Sequence, residues 1–153
     1  MLTIGTVAPD FTLQDQNGTF ISLHDYHHTY CLVYFYPKDD TPGCTKEACA
    51  IADIYTEFEA LNINVIGISK DSPKTHKKFA EKYNLPFRLL SDQEGETIDA
   101  YGAWQNKSMF GRSFMGIARI SYLLNLEGVV IKIYPNVDPA THALQILADV
   151  KAL

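Results

Sequence analysis

The chain has 153 residues, of which 46% are hydrophobic and 20% charged, and its formal net charge is −5. That length suits one domain over residues 1–153 with a sizeable core, and the acidic balance without a basic stripe excludes a nucleic-acid footprint. No stretch approaches the ~20 apolar residues of a membrane span, and the N-terminus lacks the basic and apolar regions of a secretory signal, so a cytoplasmic protein with no membrane partner is expected.

In chain order, residues 11–13 and 19–22 alternate around Asn17-Gly18, which signals a hairpin. Residues 30–36 (YCLVYFY) form an unbroken apolar run, as expected of a strand buried on both faces, and residues 64–69 (NVIGIS) form another. Between them Ile51, Ile54, Tyr55, Phe58 and Leu61 follow helical spacing, which predicts one helix over 42–61. Thr41 is placed to cap it, and Pro42 suits its first position. Ser72-Pro73 and Asp138-Pro139 repeat that device, predicting helices over 73–84 and 139–152. Lys74 to Lys82, the densest cationic stretch, reads as the wet face of the first of these. A short helix over 95–101 stops at Gly102, and strands 120–124 and 129–134 are joined by a turn at 125–128. The polar, Gly-rich segment 105–116 reads as a loop. The order fits an α/β three-layer sandwich resembling thioredoxin, with a mixed central β-sheet and an N-terminal β-hairpin, among several topologies that the pattern permits.

Three cysteines are too few, and an odd number, for a disulfide-stapled fold. In a cytoplasmic protein a cysteine pair is more often redox-active than structural. Cys44 falls at the third position of the predicted helix, among backbone N–H groups with no intrahelical acceptor. Those groups and the helix dipole favour an anion, so a thiolate is favoured there, and the strand-to-helix junction presents it at the sheet edge within reach of a small substrate. Cys31, inside an apolar strand, reads as a small buried hydrophobe. The histidines at 24, 27, 28, 76 and 142 show no metal-ligand spacing with the cysteines, so no metal and no cofactor are expected, and His27-His28 reads as a polar turn.

The segment YPKDDTPGCTKEAC, residues 36–49, resembles the active-site signature of the peroxiredoxin family: Pro37, three residues, Thr41, two residues, Cys44. With a second cysteine at Cys49 it is similar to the bacterioferritin-comigratory, PrxQ-like branch, and the resemblance runs from APDF at residues 8–11 to the terminal helix. Tyr101-Gly102-Ala103-Trp104 matches a stretch common in that branch. The resemblance implies a thioredoxin-like fold and a thiol peroxidase acting on hydrogen peroxide and organic hydroperoxides. It implies that Cys44 is the peroxidatic thiolate, that Thr41 aligns the attack, that Pro37 covers the site, and that Arg119 stabilises the thiolate and the departing oxygen. It further implies a Cys44–Cys49 disulfide reduced by thioredoxin or a similar dithiol. No cysteine follows Cys49, so resolution by a partner subunit's C-terminal cysteine is not expected, and a monomer is expected rather than a dimer.

Glu47 either orients Arg119 or simply suits the positive end of the helix; both readings stand at this point. On one continuous helix Cys44 and Cys49 would have Cα atoms about 8.7 Å apart. A disulfide tolerates at most about 7 Å, so residues 42–50 would have to unwind for the bond to form, an opening that Gly43 eases. Two other functions fit less well. A dithiol-disulfide exchanger calls for Cys-x-x-Cys spacing and leaves Thr41 and Arg119 without a purpose. A non-enzymatic redox sensor would show no catalytic turnover.

Overall fold

The computed structural model describes all 153 residues. A seven-stranded mixed sheet forms the middle layer. Its strands are β1 (Thr12–Gln14), β2 (Phe20–Ser22), β3 (Tyr30–Phe35), β4 (Ile63–Ser69), β5 (Arg88–Ser91), β8 (Ser121–Leu124) and β9 (Val130–Tyr134). They lie in the order β2-β1-β5-β4-β3-β8-β9. At the centre β3 pairs in parallel with β4 and antiparallel with β8.

The apolar run at β3 has the expected cause. Leu32 and Tyr34 face a core shared with α1 (Pro42–Asp53), α2 (Tyr55–Ala60), α3 (Pro73–Tyr83) and α5 (His142–Lys151). Cys31, Val33 and Phe35 face a second core, with Ile98 of α4 (Glu96–Ala100), Tyr101 and Tyr122. Period-two alternation thus buries both faces of one strand. No helix is long and apolar enough to cross a membrane.

Three expectations need correction. The helix over 42–61 is two helices: Ile54 leaves helical torsions (φ −120°, ψ 20°), and its N–H bonds to the Ile51 carbonyl in a tighter turn. Ile51 and Phe58 still bury against one core, so a shared apolar face hides the break from a periodicity reading. The last helix begins at His142 rather than at Pro139. Asp138 instead closes a turn, accepting from Ala140 N–H on its side chain and from Thr141 and His142 N–H on its carbonyl. Finally, residues 105–116 are not a loop. They form most of a separate hairpin, β6 (Trp104–Met109) with β7 (Arg112–Ile117). Its two-residue tip, Phe110-Gly111, has φ of 52° and 75°, the paired positive torsions that a tight hairpin turn requires.

Candidate active site

β3 runs out at Phe35, and the chain crosses residues 36–41 to the start of α1. Thr41 is extended (φ −98°, ψ 156°) and Pro42 opens the helix, so Cys44 is its third residue, as the spacing predicts. The Thr41 carbonyl accepts the first helical bond, from Thr45 N–H. Its hydroxyl does not cap the helix. It donates backward to the Lys38 carbonyl at 2.8 Å, which ties the loop together and leaves the oxygen's lone pairs free. Pro37 is half-buried in the same loop.

Arg119 arrives from the far side, two residues before β8, where its carbonyl accepts from Val137 N–H. Its guanidinium spans two acidic groups. Nη2 donates to Cys44 Sγ at 3.2 Å and Nη1 to Glu47 Oε1 at 3.4 Å. Glu47 lies one helical turn after Cys44 and is buried. Burial pushes its carboxyl up to about 7, and Arg119 pulls against that rise. Of the two readings of Glu47, the contact with Arg119 supports the orienting one. One guanidinium therefore serves a sulfur and a carboxylate with a planar fork that a lysine lacks.

Cys44 is more enclosed than its place at the strand-to-helix junction suggests, at only 2% exposed, because it packs with Ala48 into the helix-side core. A surface cleft lined by Gln105, Lys107, Arg119, Pro135 and Asp138 opens beside the guanidinium.

The sequence of residues 4–133 matches the model of the AhpC/TSA family. Peroxiredoxin Bcp of Bacillus subtilis (strain 168) is 44% identical over 151 residues, covering 97% of this chain and 96% of that protein. The putative peroxiredoxin bcp of Coxiella burnetii is 42% identical, covering 95% and 97%. The chain belongs to the peroxiredoxins. The solved structures agree. The bacterioferritin comigratory protein of Xanthomonas campestris, described for its alkyl peroxide reduction activity, superposes with a TM-score of 0.90 at 34% identity over 99% of this chain and 96% of that one. A cysteine-to-serine mutant of Xylella fastidiosa PrxQ gives 0.93 at 29% identity, covering 99% and 97%. The thioredoxin-like α/β fold and the thiol peroxidase activity of the family are those of this chain.

The remaining peroxiredoxin features divide by burial. Cys49 is half-buried on the same helix as Cys44, and both are free thiols. Burial, and then the Asp53 carboxylate, hold the Cys49 thiol above its usual range. Cys31 is sealed in the sheet, and burial pushes its thiol up to about 12, so it stays protonated and inert. His142 is buried against Ser121 Oγ at 2.7 Å, far from thiol chemistry in role, and burial lowers it to about 4. Asp39, Asp71 and His76 are the one gathering of metal-ligand types; they bond to one another and to Tyr36 and Ser69.

Gly43 has a role that its flexibility does not reveal. A Cβ there would lie 2.6 Å from Arg119 Nη2 and 3.2 Å from Cζ. Glycine is what lets the guanidinium lie across the helix start onto the sulfur. Gly43→Ala should therefore separate stability from activity. Alanine favours the helix by about 1 kcal/mol. Displacing the guanidinium forfeits part of a charge-assisted bond, so kcat/KM for peroxide should fall about tenfold. Thermal melting and steady-state kinetics on one preparation check this; a rise in both would mean that Arg119 is not held where Gly43 allows.

Proposed function

We propose that this protein reduces hydrogen peroxide and organic hydroperoxides, with Cys44 as the nucleophile and Cys49 as the resolving thiol. The observation that carries the reading is the 3.2 Å contact of Arg119 Nη2 with Cys44 Sγ at the third residue of a helix. A cation and unpaired N–H groups there can stabilise negative charge at the reacting atoms.

The thiolate attacks the terminal oxygen of the hydroperoxide, the O–O bond breaks, and an alkoxide or hydroxide leaves and takes a proton. Arg119 stabilises the charge passing from sulfur to oxygen. Thr41 holds the incoming O–H through its free lone pairs, and the Pro37 ring shields the sulfur from water. Cys44 is left as a sulfenic acid. Cys49 then displaces water from it to form the disulfide. The two cysteines sit five residues apart in one helix, so this step requires α1 to open ahead of Ile51, which is fixed in the core. Opening also exposes Cys49 to water, which relieves the burial that raises its thiol. A thioredoxin-type dithiol restores both thiols, and such dithiols are kept reduced in the cytoplasm, where the enzyme works as a monomer.

A peroxidase assay coupled to thioredoxin and its reductase, run with hydrogen peroxide and tert-butyl hydroperoxide, tests this. Wild type should turn over both. Cys49→Ser should consume about one equivalent of peroxide and then lose thioredoxin-driven turnover, since the one remaining thiol, Cys31, is sealed in the sheet and cannot form the disulfide that thioredoxin attacks. Full turnover in Cys49→Ser would remove Cys49 from the cycle, and insulin reduction without peroxide consumption would favour a disulfide exchanger.

A further inference from the structure

The loop that carries Pro37 and Thr41 into α1 is fastened to α3, a helix that the chemistry above does not use. Two consecutive aspartates do the fastening by facing opposite ways. Asp39 turns inward. Its Oδ2 lies 2.7 Å from His76 Nδ1, with both side chains buried, and its Oδ1 accepts the Tyr36 hydroxyl. His76 Nε2 lies 3.1 Å from the Leu90 carbonyl, which only accepts, so Nε2 donates to it and fixes the ring against β5. The Asp39 N–H donates to Asp71 Oδ2 at 2.9 Å, and that oxygen also accepts from the Ser69 hydroxyl. The Asp39 and His76 side chains are buried in this inner anchor, so separating them would leave a polar group buried without its partner.

Asp40 turns outward. Its Oδ2 accepts from Lys82 Nζ at 2.8 Å and its Oδ1 from the Tyr83 hydroxyl at 2.7 Å. These two partners hold its carboxyl below the usual carboxylate range, against a weak opposing effect of burial. The ion pair is open to water, with 58% of the Lys82 side chain and 41% of the Asp40 side chain exposed. The chain reverses at Asp40, where φ is +54°, a left-handed torsion that aspartate and asparagine adopt more readily than other residues with a side chain.

Opening of α1 pulls first on Thr41 and Asp40. The inner anchor is buried, whereas the outer clamp is an ion pair open to water and therefore weak. We propose that Asp40, clamped by Lys82 and Tyr83, is a positioning residue that holds the Cys44 turn closed on Arg119 and sets how soon oxidised Cys44 reaches Cys49. This rests on the Cys44–Cys49 cycle above. The sulfenic acid has two fates. It condenses with the Cys49 thiol, releasing water and forming the S–S bond. Or, while the helix stays closed, it attacks a second hydroperoxide, taking one oxygen to become sulfinic acid as that hydroperoxide is reduced to the alcohol. A tighter clamp favours the second fate.

Asp40→Asn and Lys82→Met, singly and combined, test the clamp; asparagine tolerates the left-handed torsion, so the backbone is kept. The readout is the sulfinic fraction of Cys44, by mass spectrometry, after turnover with thioredoxin over a range of peroxide. The peroxide concentration that half-inactivates the enzyme should rise about threefold in each variant, as suits an exposed ion pair. The double variant should match the singles, since both remove one interaction. Adding about 0.5 M salt should move wild type toward the variants and leave Lys82→Met unmoved. Substitutions that merely loosen the fold would lower turnover without changing the partition between disulfide and sulfinic acid. An unchanged half-inactivating concentration in both variants, with the Cys44–Cys49 bond forming normally, overturns the clamp. Wild type that forms no such bond overturns the resolving role of Cys49 and the clamp with it.

Discussion

Replacing Cys44 with serine is expected to reduce peroxide consumption to the uncatalysed rate. A serine hydroxyl stays protonated at neutral pH and is a far poorer nucleophile than a thiolate, and the side chain hydrogen-bonded at this position is Arg119, a donor rather than a base. The fold should survive, because oxygen replaces sulfur at a site where Arg119 Nη2 can still donate, and circular dichroism would show this. Cys31→Ser is the control. Its thiol is buried in β3 and touches none of the active-site groups, so turnover should persist. Sustained turnover by Cys44→Ser would mean that another thiol is the nucleophile.

Arg119→Met should slow the first oxidation of Cys44 by about 10²–10³, the usual effect of losing a group that stabilises charge in flight. Methionine keeps length and apolar bulk, so what goes is the charge. Two consequences follow from one loss. The attacking sulfur loses its donor, and so does the departing oxygen. Glu47 responds as well: with its opposing cation gone, burial alone acts, and its carboxyl rises further. Arg119→Lys should rescue the oxidation rate only in part, because an ammonium cannot bridge sulfur and carboxylate together. Stopped-flow oxidation of both variants measures the effect. A wild-type rate in Arg119→Met would take Arg119 out of the site.

Much of the framework was legible because burial on both faces leaves a plain mark. Residues 30–36 and 64–69 read as central strands for that reason, and Pro42 after an extended Thr41 marked the start of α1 to the residue. The β6–β7 hairpin escaped because it is mostly exposed. Its strands carry Gln105, Asn106, Lys107 and Ser108 without a buried alternating face, and Phe110-Gly111 lacks the usual Asn-Gly turn signal. At the site, the strand-to-helix junction and the family signature put Cys44 in place, and Arg119 meets it across the fold. The part played by Gly43 was hidden, since the atom that needs the space belongs to Arg119, distant in sequence. His76 was hidden by its company. The surrounding lysines read as a wet face, yet His76 shares the buried side of α3 with Phe79 and Ala80, a spacing of three and four that could have shown it.

The most direct test of the account is a peptide map of wild type and Cys49→Ser after one equivalent of hydroperoxide, with dimedone present to trap sulfenic acid. The expected result is a Cys44–Cys49 disulfide in wild type and a dimedone adduct on Cys44 alone in the variant, with Cys31 unmodified in both. An adduct on Cys31 or Ser-variant protein that carries none on Cys44 would contradict the assignment of Cys44 as the peroxide-reactive sulfur.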